Sequence, residues 1–145
     1  MATETFVIES TLETNVAFSQ LIDLSRVPEW DRGIAESRLI EGAIGTLGAR
    51  YDLTLTGFDG KPTNAIYELT AVDVDRSFTM VGTNPTFRAE DTVTVESLAQ
   101  GCRVTYLAGL ALAGEHRPMT EAQLSAVFAK VVAIAQRGLT QYLNP

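Results

Sequence analysis

Residues 120–143, TEAQLSAVFAKVVAIAQRGLTQYL, decide how the chain is read. Thr120 followed by Gln123 fits a capping box, in which each side chain satisfies a backbone N–H that the first helical turn leaves free. Beyond it, Leu124, Val127, Phe128, Val131, Ile134, Ala135, Leu139 and Tyr142 recur at helical spacing as one apolar stripe. Gly138 is the one glycine inside this run, and Asn144-Pro145 stops it. A helix of this length with one apolar side requires a surface to lie on, and the rest of the sequence supplies a sheet.

Upstream, the alternation has a period of two. Glu90 to Leu98 sets Asp91, Val93 and Val95 against Thr92, Thr94 and Glu96, and Cys102 to Leu112 follows across Gln100-Gly101 as its hairpin partner. Arg50 to Thr56 alternates most clearly, with Tyr51, Leu53 and Leu55 on one face. Thr5 to Thr11, Ile34 to Glu41, Ala65 to Val74 and Phe78 to Thr83 complete seven predicted strands. Between the first and second of them the period changes. Ala17, Leu21 and Leu24 predict a short helix, and Ser25 is the predicted cap of a further turn that holds Pro28 and ends at Trp30. The glycines of Gly42 to Gly48 predict a loop, without the spacing of a phosphate-binding loop.

The 145 residues suit one domain, 1–145, able to bury its own core. Eighteen acidic against eleven basic residues give a formal charge of −7, which disfavours nucleic acid and anionic membrane surfaces as partners. Cys102 is the only cysteine, so neither an internal disulfide nor a structural zinc site is expected, and no metal or cofactor is called for. Met1 to Ser10 has no signal-peptide pattern, and the apolar runs fall short of the ~20 residues a bilayer span needs, so integral membrane association is not expected and the expected location is cytoplasmic.

Leu21-Ile22-Asp23 followed by Val27-Pro28-Glu29-Trp30, the run Gly101-Cys102-Arg103-Val104-Thr105-Tyr106, and the ending Arg137-Gly138-Leu139 through Leu143 carry a further signal. Together with the order strand, two short helices, six strands, long helix, they resemble the START-like helix-grip superfamily (SRPBCC). The nearest likeness is to its polyketide cyclase/dehydrase branch. Cys102 departs from that group's usual threonine. The resemblance runs from Phe6 to Leu143 and implies an α+β helix-grip fold: a seven-stranded curved antiparallel sheet wrapped around a long C-terminal helix, with two short helices between strands 1 and 2. It implies a ligand cavity between sheet and helix. It fixes no activity, because the superfamily holds binding proteins, transfer proteins and enzymes on one fold.

Strand parity places Tyr51, Leu53, Leu55, Tyr67, Leu69, Phe78, Met80, Val93, Tyr106 and Leu110 on the concave wall, with Leu124, Phe128 and Val131 facing it from the helix. Most are read as packing residues, a minority as ligand contacts. The three tyrosines imply polar points within an apolar wall, because a buried phenol needs a partner. Trp30 is read first as the anchor of the short helices and joins the ligand-facing set. Asp91 shares parity with Val93, where a charge is costly. The cheaper arrangement puts it at a solvated strand end paired with Arg88 or Arg103; the other makes it a cavity carboxylate with a raised pKa. His116 lies between the last strand and the helix, and with Asp91 it is a weak catalytic candidate.

The expected function is binding or carriage of a small hydrophobic molecule, lipid-like or polyketide-like. The alternative is a cyclase or aromatase acting on a ligand in the same cavity. A protein partner at the sheet edge is a third class, for which the sequence offers no large exposed apolar patch.

Overall fold

The structure, a computed structural model, describes residues 1–115 and 117–145. Strand β1 (Ala2–Ser10) leads into helix α1 (Thr14–Ile22) and a 3-10 helix (Leu24–Glu29). Six strands follow: β2 (Ile34–Glu41), β3 (Arg50–Thr56), β4 (Pro62–Asp73), β5 (Ser77–Thr83), β6 (Phe87–Ser97) and β7 (Cys102–Leu112). Helix α2 (Glu121–Tyr142) closes the chain. All seven strands form one antiparallel sheet in the order β1-β7-β6-β5-β4-β3-β2. This is the architecture that the alternation and the terminal stripe predict.

The topology explains the two short helices. Strands β1 and β2 are consecutive in sequence and lie at opposite edges of the sheet. In a flat sheet six spacings of ~4.8 Å would separate them by ~29 Å. Helix α1 and the 3-10 helix, about 13 and 12 Å long, bridge that gap across one face of a sheet that curls to meet them. Register shifts within β2, at Ile34/Glu36 and Leu39/Glu41, and within β4, at Leu69/Ala71, bend the strands as bulges do.

Helix α2 lies alongside β1, and the lengths match: nine strand residues at ~3.4 Å and twenty-two helical residues at ~1.5 Å both span about 30 Å. At one end the Met1 amino group pairs with Glu121 at 2.8 Å. At the other, the buried Ser10 hydroxyl donates to the Leu143 carbonyl, and Asn144 Nδ2 donates to the Glu9 carbonyl. The capping box of Thr120 and Gln123 is present, each side chain taking a backbone N–H from the other's residue. Replacing Ser10 by alanine leaves a helix-end carbonyl without its buried donor, an expected cost of about 1–2 kcal/mol. A urea midpoint unchanged from wild type would show that this tie contributes nothing.

Two expectations are corrected. The 3-10 helix is capped by Asp23 rather than Ser25: Asp23 Oδ1 accepts from the Ser25 N–H at 3.1 Å and from its hydroxyl at 2.5 Å, so Ser25 is the donor. On α2 the buried row is Leu124, Phe128, Val132 and Leu139, and Val131 is 49% exposed, with Val127 and Ile134 also at the surface. Apolar side chains cover more of this helix than the sheet can contact. Spacing alone therefore did not show which edge of the stripe faces inward, and Val132 takes the place expected for Val131.

Several strands run longer than predicted. β1, β4 and β6 begin at Ala2, Pro62 and Phe87: the ladders of β1 and β4 continue through polar residues that break the apolar alternation, and that of β6 continues through Phe87 and Ala89, which keep it. Pro62 is tolerated as the first residue of its strand. Among the described residues, no helix is long and apolar enough to cross a membrane.

Candidate functional site

The inward row of β6 reads Phe87, Ala89, Asp91, Val93, Val95; its apolar members are all buried. Asp91 is therefore in mid-strand on the inner face, opposite Met80 of β5 and Ala108 of β7. It is not a strand-end residue, and it pairs with neither arginine named for it. Arg88 pairs with Glu90, and Arg103 with Glu9 and Glu96. Its partner is Tyr106, whose hydroxyl donates to Asp91 Oδ2 at 2.9 Å. Tyr106 faces Val93 across the ladder, so its phenol reaches diagonally back by two residues.

Tyr106 is held from both sides. The Phe6 ring of β1 stacks on it with centroids 5.0 Å apart, and the Trp30 indole meets it edge-on at 6.3 Å. Trp30 is itself fixed by α2. An added Cβ at Gly138 would fall 1.7 Å from the Trp30 carbonyl oxygen, so only glycine allows the helix to close on this backbone. The residue after Trp30, Asp31, brings a second carboxyl group. Its Oδ1 accepts the Gly33 N–H at 2.9 Å.

Tyr67 enters from β4. It lies opposite Gly82 of β5, and a Cβ at Gly82 would sit 2.3 Å from Tyr67 Cζ. The bare glycine lets the Tyr67 ring lie flat across β5 toward Asp91. Neither the Tyr67 hydroxyl nor Asp91 Oδ1 has a hydrogen-bond partner among the described residues, yet neither atom is among the sealed, unpartnered polar atoms of the interior. Both residues keep part of their surface accessible while their ionisable groups sit deep in the protein.

Electrostatics follow from this placement. Burial pushes the Asp91 carboxyl up to about 7; the Tyr106 hydrogen bond and the nearby Gly109 backbone N–H oppose the shift, and the Asp31 and Glu90 carboxyls add to it. Burial likewise raises Asp31. The phenols of Tyr67 and Tyr106 are raised, first by burial and then by the Asp91 charge. Among the described residues no cation lowers any of these groups, so near neutral pH the cluster holds a carboxyl that exchanges its proton readily.

The remaining predicted residues divide. Leu53, Leu69, Phe78, Val93 and Leu124 are sealed core, and the Phe18 edge packs on Phe78 at 5.9 Å. Met80, Leu110 and Phe128 are buried, and Leu55 is half-buried against the core. Tyr51 is fully buried, and its hydroxyl lies by the backbone of Leu24 and Gly45 without a well-formed hydrogen bond. It belongs to the α1 end of the wall rather than to the Asp91 cluster. His116 lies outside the described residues. Sequence reasoning missed Asp31, Phe6 and Gly82. A lone glycine within a strand signals close approach by a neighbour, and Gly82 was legible on that ground.

Two surface grooves lie elsewhere. One of about 510 Å³ is lined by Asp73, Asp75, Arg76, Thr94 and Glu96 among others. The second, about 270 Å³, runs between the 3-10 helix and the end of α2 and shares only Trp30 with the cluster. Both are open and bordered by charged side chains, unlike the aromatic surroundings of Asp91. Among the described residues, no group of three or more His, Cys, Asp or Glu side chains gathers as a metal site.

Residues 1–143 match the family described as polyketide cyclase / dehydrase and lipid transport. The chain belongs to that family. Solved structures share its fold. A START superfamily protein from Mycobacterium smegmatis superposes with a TM-score of 0.81 at 9% identity, over 99% of this chain and 97% of that one. A conserved protein from Geobacillus kaustophilus gives 0.73 at 15% identity, over 97% and 93%. The major latex-like protein 151 of Panax ginseng gives 0.67 at 18% identity, over the whole of both chains. No curated protein matches this chain.

Proposed function

We propose that the protein binds and carries a small hydrophobic molecule between the sheet and α2, with the molecule's polar end at Asp91, Tyr106 and Tyr67. One observation carries this reading. In an otherwise apolar inner wall, Asp91 Oδ1 and the Tyr67 hydroxyl have no well-formed hydrogen bond among the described residues and yet belong to residues that keep accessible surface, as groups that meet a ligand do. Family membership supports it, since lipid transport is among the activities the family is described by.

Thermal denaturation against a panel of lipids, sterols and aromatic polyketides tests the proposal. A ligand at 100 times its Kd stabilises the fold by ~2.7 kcal/mol, which for this size raises Tm by roughly 5–10 °C. Native mass spectrometry of protein purified from its own host should show the matching adduct. No shift with any compound and no adduct would end this reading.

The second reading is catalysis of the cyclase or aromatase type, favoured by the Asp91 carboxyl at about 7 beside a phenol, a pairing suited to proton transfer at neutral pH. Here the wall would hold a poly-β-ketone folded while Asp91 takes a proton from an acidic carbon and Tyr106 or Tyr67 donates to the carbonyl oxygen. Turnover of such a substrate that falls at least 100-fold in Asp91→Asn, with binding retained, would establish it. Turnover unchanged in that variant would remove Asp91 from the chemistry.

A further inference from the structure

We infer that the ligand's polar end is a cation, so that the site takes a hydrophobic amine. This rests on the binding proposed above and specifies its chemistry. Asp31 and Asp91 approach the same interior region, and neither forms an ion pair among the described residues. The arginines that pair do so elsewhere: Arg26 with Asp23, Arg38 with Asp52, Arg50 with Glu41 and Glu68.

Among the described residues, the titratable groups near Asp91 are acidic or phenolic, and the other polar group beside it is the Gly109 backbone N–H. Tyr106 comes from β7, Tyr67 from β4, Asp31 from the turn after the 3-10 helix, and Glu90 is its neighbour in β6. The buried row of α2, Leu124, Phe128, Val132 and Leu139, carries no charge, and β5 sets Met80 opposite Asp91. A carboxylate ligand would be repelled by two carboxyl groups in a medium that screens poorly. An ammonium group instead supplies the missing counter-charge. Buried ion pairs are stable only when their remaining lone pairs are hydrogen-bonded. Here Tyr106 already donates to Oδ2 and the Gly109 backbone N–H lies beside the carboxyl, while Oδ1, with no well-formed hydrogen bond among the described residues, can take the ammonium and the Tyr67 hydroxyl can accept one of its N–H bonds.

Three probes of one shape separate the possibilities: 2-naphthylmethylamine, 2-naphthylmethanol and 2-naphthoic acid, titrated calorimetrically into the intact protein. The amine should bind at least tenfold tighter than the alcohol, and the acid more weakly than either. Its affinity should rise up to tenfold per pH unit between pH 5 and 7 and then level, because the amine stays protonated there while Asp91 ionises. Asp91→Asn should remove the amine's advantage, bringing the amine and alcohol affinities to within about threefold of each other. Alcohol or acid binding as tight as the amine, or an amine preference that survives in Asp91→Asn, overturns the cation and leaves the binding proposal standing. Binding by none of the three overturns both. If the variant does not fold, the pH profile of the unmodified protein decides, and a flat or falling profile is the overturning result.

Discussion

Gly138→Ala is expected to destabilise the protein by about 3 kcal/mol, lowering Tm by roughly 10 °C, although alanine is the better helix former by about 1 kcal/mol. The reason is contact, not propensity. The new methyl would lie 1.7 Å from the Trp30 carbonyl oxygen and 2.9 Å from its carbonyl carbon, and backbone on that side cannot rotate away. Helix α2 must then lift from the segment that holds Trp30 and Asp31. Ligand affinity should fall along with stability, because Trp30 braces Tyr106, the hydrogen-bond donor to Asp91. A variant with an unchanged or higher Tm would mean that α2 and this segment are not so closely opposed.

Asp91→Asn is expected to do the reverse in a pH-dependent way. Burial pushes the folded-state carboxyl up to about 7 from an ordinary aspartate value near 4, so between those values the folded protein holds a proton that the unfolded chain has released. Stability must then fall as pH rises from about 4 to 7 and stay low above it. At about 1.4 kcal/mol for each tenfold change in proton affinity, and reduced for the residue's partial accessibility, the loss is about 3 kcal/mol. Asparagine keeps the acceptor for Tyr106 and cannot ionise. At pH 8 the variant should melt several degrees above wild type, and near pH 4 the two should coincide. Urea denaturation at both pH values measures this. A variant less stable than wild type at pH 8 would show that the carboxylate has a stabilising counter-charge, and the account of the site would fail.

Together the two variants describe how the site is held. Gly138 lets the helix press Trp30 and Asp31 into place, whereas Asp91, a buried carboxyl in mid-strand between Ala89 and Val93, is expected to weaken the fold at neutral pH. A residue that costs stability in this way belongs to function more readily than to packing. That argument favours a polar ligand contact over an accident of the core.

Parity made Asp91 legible as an inner-face residue but not as an unpaired one. The arginines nearest in sequence, Arg88 and Arg103, lie on the outer face, and their partners are strand neighbours there. The three tyrosines were legible as inward, but parity does not say where a hydroxyl ends up. Tyr67 and Tyr106 converge on Asp91, while Tyr51 extends to the backbone at Leu24 and Gly45. Asp31 gave no periodic signal, since it sits in a turn, and its position depends on α2 meeting Trp30.

What the sequence determined by itself is the set of elements and their sides: seven alternating segments, two short helices, one capped terminal helix, and the inward face of each strand. Those follow from local backbone periods and from the cost of exposing apolar rows. Tertiary structure decided which edge of the α2 stripe is buried, Val132 over Val131, and it brought Asp31, Tyr67, Asp91 and Tyr106 together from four separate segments. Contacts between residues far apart in sequence depend on curvature, register and close approach at Gly82 and Gly138. Those are properties of the packed whole, and no local period encodes them.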